Sequence, residues 1–97
     1  MSLNISQSGA ANFNTKQVTI TTSATVIVPA NSSRRGVIIT NTGTTDVYIG
    51  KDNTLTTSIG DLLAGVKGAF VSIPTTSQVY GIVGSGSQVV SYMEVYD

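Results

Sequence analysis

Ser33-Arg34-Arg35-Gly36-Val37-Ile38-Ile39-Thr40-Asn41-Thr42-Gly43-Thr44-Thr45-Asp46-Val47-Tyr48-Ile49-Gly50 is the stretch on which the fold turns. Two short apolar runs, Val37-Ile38-Ile39 and Val47-Tyr48-Ile49, flank a segment of Asn, Thr, Gly and Asp. β-Branched and aromatic side chains suit extended backbone, whereas Asn and Gly supply the positive-φ positions of turns. Residues 36–40 are expected as a strand with Val37 and Ile39 on one face. Residues 41–46 are expected as a hairpin loop with Asn and Gly at positive φ, and residues 47–49 as the strand that pairs back antiparallel. A polar loop, residues 51–60, follows. Leu62-Leu63-Ala64, set between Gly60 and Gly65, is too short for a helix. It reads as a short strand or turn plugging one end of a sandwich.

The β pattern continues on both sides. Gln17-Val18-Thr19-Ile20-Thr21-Thr22 alternates, with Val18 and Ile20 inward. Thr25-Val26-Ile27-Val28 is stopped by Pro29, and residues 69–73 by Pro74, because proline cannot donate in a central ladder. Residues 78–83 form another run, and Gly84-Ser85-Gly86-Ser87 is a flexible turn before the longest strand, residues 88–96. No ten-residue window carries helical periodicity. Seven or eight short strands at about ten-residue spacing argue a sandwich or a barrel, and the expected fold is an all-β chain, a small antiparallel β-sandwich of jelly-roll-like type.

At 97 residues the chain holds one core. The expected division is a polar N-terminal arm, residues 1–15, and a single domain, residues 16–97. The arm, either disordered or docked on a neighbouring subunit, offers Leu3 and Ile5 as contact residues. In the last strand, Val89, Met93 and Val95 point one way and Val90, Tyr92 and Tyr96 the other. A strand apolar on both faces is central and covered, or lies at an interface. Tyrosine is enriched at interfaces, which nominates Tyr92 and Tyr96 as subunit contacts.

Composition narrows the chemistry. Five basic and five acidic residues leave no net charge, and charged residues make up 10% of the chain, against about 25% in an average protein. A neutral, hydroxyl-rich surface attracts neither nucleic acid nor an anionic membrane, and gives little electrostatic protection against self-association. The chain is therefore expected to be multimeric, with no nucleic-acid or membrane partner. It has no Cys and no His, which removes the thiolate nucleophile and the commonest general base and metal ligand. With no nucleophile–base pair to name, it is expected not to be an enzyme, and to use no cofactor. Residues 1–6 lack a basic and an apolar signal region, and no apolar run approaches the roughly 20 residues of a membrane helix. Synthesis in the cytoplasm as a soluble chain follows as the expectation.

Asp52-Asn53-Thr54 and Gly60-Asp61 offer oxygen ligands without the spacing of a calcium loop, so no metal site is assigned. Asp61 is read instead as a cap on the turn into Leu62. Arg34 and Arg35 form the one basic cluster. At the rim of a sandwich, one of them is expected to pair bidentately with Asp46 or with a neighbouring chain's carboxylate, which makes both interface candidates. Tyr48 and Tyr80, beside strand ends, are the side chains available for stacking on a sugar ring in a chain without Trp, or else they pack in the core.

The series Arg35-Gly36-Val37-Ile38-Ile39-Thr40-Asn41, Val47-Tyr48-Ile49-Gly50, Gly60-Asp61-Leu62-Leu63-Ala64-Gly65 and Val79-Tyr80-Gly81-Ile82 resembles small structural proteins of tailed bacteriophages. The match runs from about residue 17 to the C-terminus. The resemblance implies a virion β-sandwich, often trimeric, without catalytic residues: a head decoration (cement) protein on the capsid surface, bound to the major capsid protein. The alternative it implies is a receptor- or glycan-binding domain of a head or tail fibre.

Overall fold

In the computed structural model, which describes residues 10–97, these runs form eight strands. They are β1 (Asn12–Ile20), β2 (Thr25–Val28), β3 (Arg34–Asn41), β4 (Val47–Gly50), β5 (Asp61–Leu63), β6 (Phe70–Ile73), β7 (Val79–Ile82) and β8 (Gln88–Tyr96). They make two four-stranded sheets, the first in the order β1-β8-β3-β6 and the second in the order β2-β7-β4-β5. Every pairing is antiparallel. The pairs β1·β8, β2·β7, β3·β6 and β4·β5 are those of one long hairpin doubled back on itself, and β3·β8 and β4·β7 complete each sheet. This is the strand order of an eight-stranded jelly roll, in line with the expected β-sandwich of jelly-roll-like type.

The connection after β3 differs from expectation. β3 and β4 do not pair as a hairpin: β3 lies in the first sheet and β4 in the second. Positive-φ glycines occur at Gly68 and Gly86, not at Gly43. The cause is the Asn41 side chain, which bends the chain out of the first sheet instead of folding it back along β3. The Leu62-Leu63 segment is likewise no plug. It is β5, the edge of the second sheet, with Leu63 buried and Leu62 exposed.

The core lies between the sheets and is mostly β-branched. Ile20, Val37, Ile39, Val90 and Tyr92 face inward from the first sheet, and Ile27, Val28, Val47, Leu63 and Val79 from the second. Fully burying one such side chain stabilises by about 1.5–3 kcal/mol. β2 buries two consecutive side chains, Ile27 and Val28, because its register against β7 shifts between Val26 and Val28. A bulge of this kind turns adjacent residues toward the same side.

β1 begins four residues earlier than the domain start expected at residue 16, and pairs with β8 from Asn12↔Tyr96 to Ile20↔Gln88. Residues 12–17 are exposed on both faces, so they carry no apolar alternation. Backbone pairing alone recruits them to the sheet. Leu3 and Ile5 lie outside the described residues.

Candidate functional site

The nominated residues divide into a buried structural set and an exposed sheet face. Arg34, at the start of β3, is 3% exposed. Its Nη1 donates to Glu94 Oε2 at 3.0 Å and to the Pro29 carbonyl at 2.8 Å. Its Nε donates to the Thr75 carbonyl at 2.8 Å, and Nη2 donates to the Ser77 carbonyl. One guanidinium thus joins β8 to the loops after β2 and after β6. A planar fork of five donors suits this convergence, and a lysine would not reproduce it. Arg34 is no longer a surface contact. Arg35 is exposed and pairs with Asp97, its Nε 3.1 Å from Oδ1. Neither arginine pairs with Asp46, whose Oδ1 accepts the Gly65 N–H at 2.6 Å.

Tyr92 is also corrected. It is 5% exposed and belongs to the core. Burial pushes its phenol above the ordinary value of 10.0, and the nearby Glu94 charge adds to the rise against a smaller opposing effect of Arg34. Tyr96, on the same side of β8, is half-buried opposite Arg34 and Asn12. The two-residue period of β8 was read correctly, but the covered side is the one carrying Val90 and Tyr92. The opposite side, with Met93 and Val95, faces out.

A second buried polar group builds the corner between the sheets. Asn41 is fully buried. Its Nδ2 donates to the carbonyls of Thr45 at 2.8 Å and Ala64 at 3.1 Å, and its Oδ1 accepts the Gly43 N–H at 3.0 Å. Gln88 Oε1 accepts from the Thr45 N–H at 3.1 Å. Gly65 packs so closely here that a Cβ would stand 2.4 Å from the Thr44 carbonyl oxygen. The Asn-x-Gly and Gly-flanked Leu-Leu segments of the sequence are therefore one corner seen twice. Sequence reasoning missed Asn41, Glu94 and Gln88 as partners. In the sequence Glu94 stands out only as a polar exception in a largely apolar strand, and Gln88 carries no signal beyond opening it.

The outer face of the first sheet remains. Cross-strand register sets Phe13 beside Val95, and Thr15 beside Met93, Ile38 and Ser72 in one row. Phe70 stands opposite Thr40. Phe13 is 69% and Phe70 66% exposed, and Met93 is also exposed. From alternation, the remaining positions on this face are Gln17, Thr19, Gly36, Val89 and Ser91, so it carries no charged side chain between its two ends. Tyr48 and Tyr80 lie on the outer face of the second sheet, both half-buried, Tyr48 opposite Ile82 and Leu62.

Three open depressions of about 240, 260 and 400 Å³ adjoin Lys51 at one end of the sandwich. Asp52 lines two of them. Its Oδ1 accepts from the Thr54 hydroxyl at 2.5 Å and the Thr54 N–H at 3.0 Å, which holds its carboxyl below the ordinary value. Asp61 opens β5 as an exposed strand residue, where a turn cap was expected. Among the described residues, no three Asp and Glu side chains gather as a metal would require. No helix of the described residues is long and apolar enough to cross a membrane. Comparison with family models, with curated proteins and with solved structures finds no match to this chain.

Proposed function

We propose that this chain is a structural protein of a tailed-bacteriophage virion, a capsid decoration protein that binds the assembled head through the major capsid protein and stabilises it. The observation that carries the reading is the outer face of the first sheet, uncharged between its ends and crossed by Phe13, Val95, Met93, Ile38 and Phe70. Such a face costs little to desolvate, and an exposed apolar patch rimmed by polar residues marks an interaction surface. The sequence resemblance supplies the setting, the capsid surface of the virion. A ligand that binds only the assembled lattice stabilises it by mass action, about 2.7 kcal/mol per site at a free concentration a hundredfold above Kd. The protein acts as a small homo-oligomer, without cofactor or catalysis.

Co-sedimentation with phage heads stripped of the protein tests this. The expected result is saturable binding at a fixed ratio to capsid subunits, with loaded heads more resistant to heat. No binding to heads would sink the reading. A second reading, a glycan-binding fibre domain, draws on Tyr48 and Tyr80 on the outer face of the second sheet. Selective retention on a glycan array, lost in Tyr48→Ser and Tyr80→Ser variants, is the result that would favour it.

A further inference from the structure

The four sheet edges are unequal. β5 is three residues long. β6 has four residues and runs into Pro74, and β2 has four, is bulged, and runs into Pro29. Short length, bulges and proline are the devices that stop an edge from pairing with another chain. β1 has none of these three, and of the further device of charged side chains it has one residue. It is nine residues long, its register against β8 is unbroken, it contains no proline, and Lys16 is its single charge. Among the described residues nothing pairs with its outer edge.

We propose that this edge is the self-association seam of the protein: β1 of one copy pairs antiparallel with β1 of a second copy about a two-fold axis, joining two first sheets into one eight-stranded sheet. The inference rests on the homo-oligomer in the functional reading but not on capsid binding. Isologous contacts require a self-complementary surface, and this strand provides one. Centring the axis on Lys16 would set two ammonium groups opposite each other, which is unfavourable. Centring it on Thr15 sets threonine against threonine, Lys16 against the other copy's Asn14, and Phe13 against its Gln17. In that register the two strands overlap over residues 12–18, and the row Ile38, Met93, Thr15 continues across the seam into its own copy. A chain with no net charge offers no long-range repulsion to the encounter. The two-fold seam differs from the three-fold symmetry that the resemblance implies.

The chain contains no cysteine, so a Thr15→Cys variant gives an unambiguous readout. Mild oxidation is expected to link it rapidly into a covalent dimer, while Thr19→Cys, four residues from the axis, links slowly. Sedimentation equilibrium of the wild type is expected to give a dimer mass at micromolar concentration. Thr15→Lys is expected to weaken that dimer at least about fivefold, with an unchanged circular dichroism spectrum because the side chain is exposed. Any of three results overturns the proposal: a trimer mass, a dimer unaffected by Thr15→Lys, or equal disulfide rates for the two cysteine variants. A monomer at every concentration also overturns it, and leaves residues 1–9 or a foreign strand as the occupant of the edge.

Discussion

Arg34 and Glu94 form an ion pair at 3.0 Å with the arginine side chain wholly buried and the glutamate nearly so, at the end of the sandwich where the loops after β2 and after β6 converge. Desolvating both charges costs several kcal/mol, and the pair persists because the guanidinium also satisfies the carbonyls of Pro29, Thr75 and Ser77. Removing one partner leaves the other charge buried without compensation. Arg34→Met is expected to destabilise the fold by about 3–5 kcal/mol. Arg34→Met with Glu94→Leu is expected to recover about 1–3 kcal/mol of that loss. Urea unfolding of both variants checks the ordering, and a double variant no more stable than the single would refute it.

Asn41 donates two hydrogen bonds that hold the crossover between the sheets. Asn41→Ala takes this donor from the Thr45 carbonyl, one of two donors from the Ala64 carbonyl, which the Val66 N–H still reaches, and the acceptor from the Gly43 N–H, at a cost of about 2–4 kcal/mol. Asn41→Asp has the same shape but only acceptors, and it buries a charge against those carbonyls. At neutral pH it is expected to unfold at a lower temperature than Asn41→Ala. Calorimetry on the two proteins decides.

Gly65 and Gly68 are constrained differently. At Gly65 the obstacle is space, with the Thr44 carbonyl in the position of a Cβ. At Gly68 space is open but φ is +92°. Alanine is expected to destabilise at Gly65 by about 1–3 kcal/mol and at Gly68 by about 1–2 kcal/mol. Asparagine tolerates positive φ better than alanine, so Gly68→Asn should recover part of the loss while Gly65→Asn recovers none. Equal behaviour of asparagine at both positions would contradict this assignment.

Tyr92 makes stability depend on alkaline pH. Its phenol ionises at higher pH in the folded chain than in the unfolded one, because burial and the Glu94 charge disfavour phenolate. Its contribution is therefore complete below the ordinary value of 10.0 and is lost as pH rises toward the folded-state value. Tyr92→Phe is expected to flatten the decline of stability above pH 10 relative to wild type. Unfolding midpoints measured from pH 8 upward check it, and parallel curves for the two proteins would show that Tyr92 is not responsible.

The sandwich, its eight strands and most strand limits were legible because they depend on local rules: alternation along β8, proline after β2 and β6, and runs of Val and Ile for the core. Sheet membership was less legible. The loop after β3 has hairpin composition, and only the long-range bonds of Asn41 to Ala64 and of Asp46 to Gly65 send it to the other sheet. The two-residue period likewise says which side chains share a face and leaves open which face is covered. Arg34 looked like a rim charge because its partner lies 60 residues further along the chain.

Composition and period alone pointed to the class of structure, a neutral β-sandwich without cysteine or histidine, because both act residue by residue. The closed fold put Tyr92 and Arg34 inside and Met93 and Phe13 outside, and made β1 the longest of the four sheet edges among the described residues. Burial and edge position belong to pairs of strands distant in sequence. No local pattern specifies them until the two sheets have closed on each other.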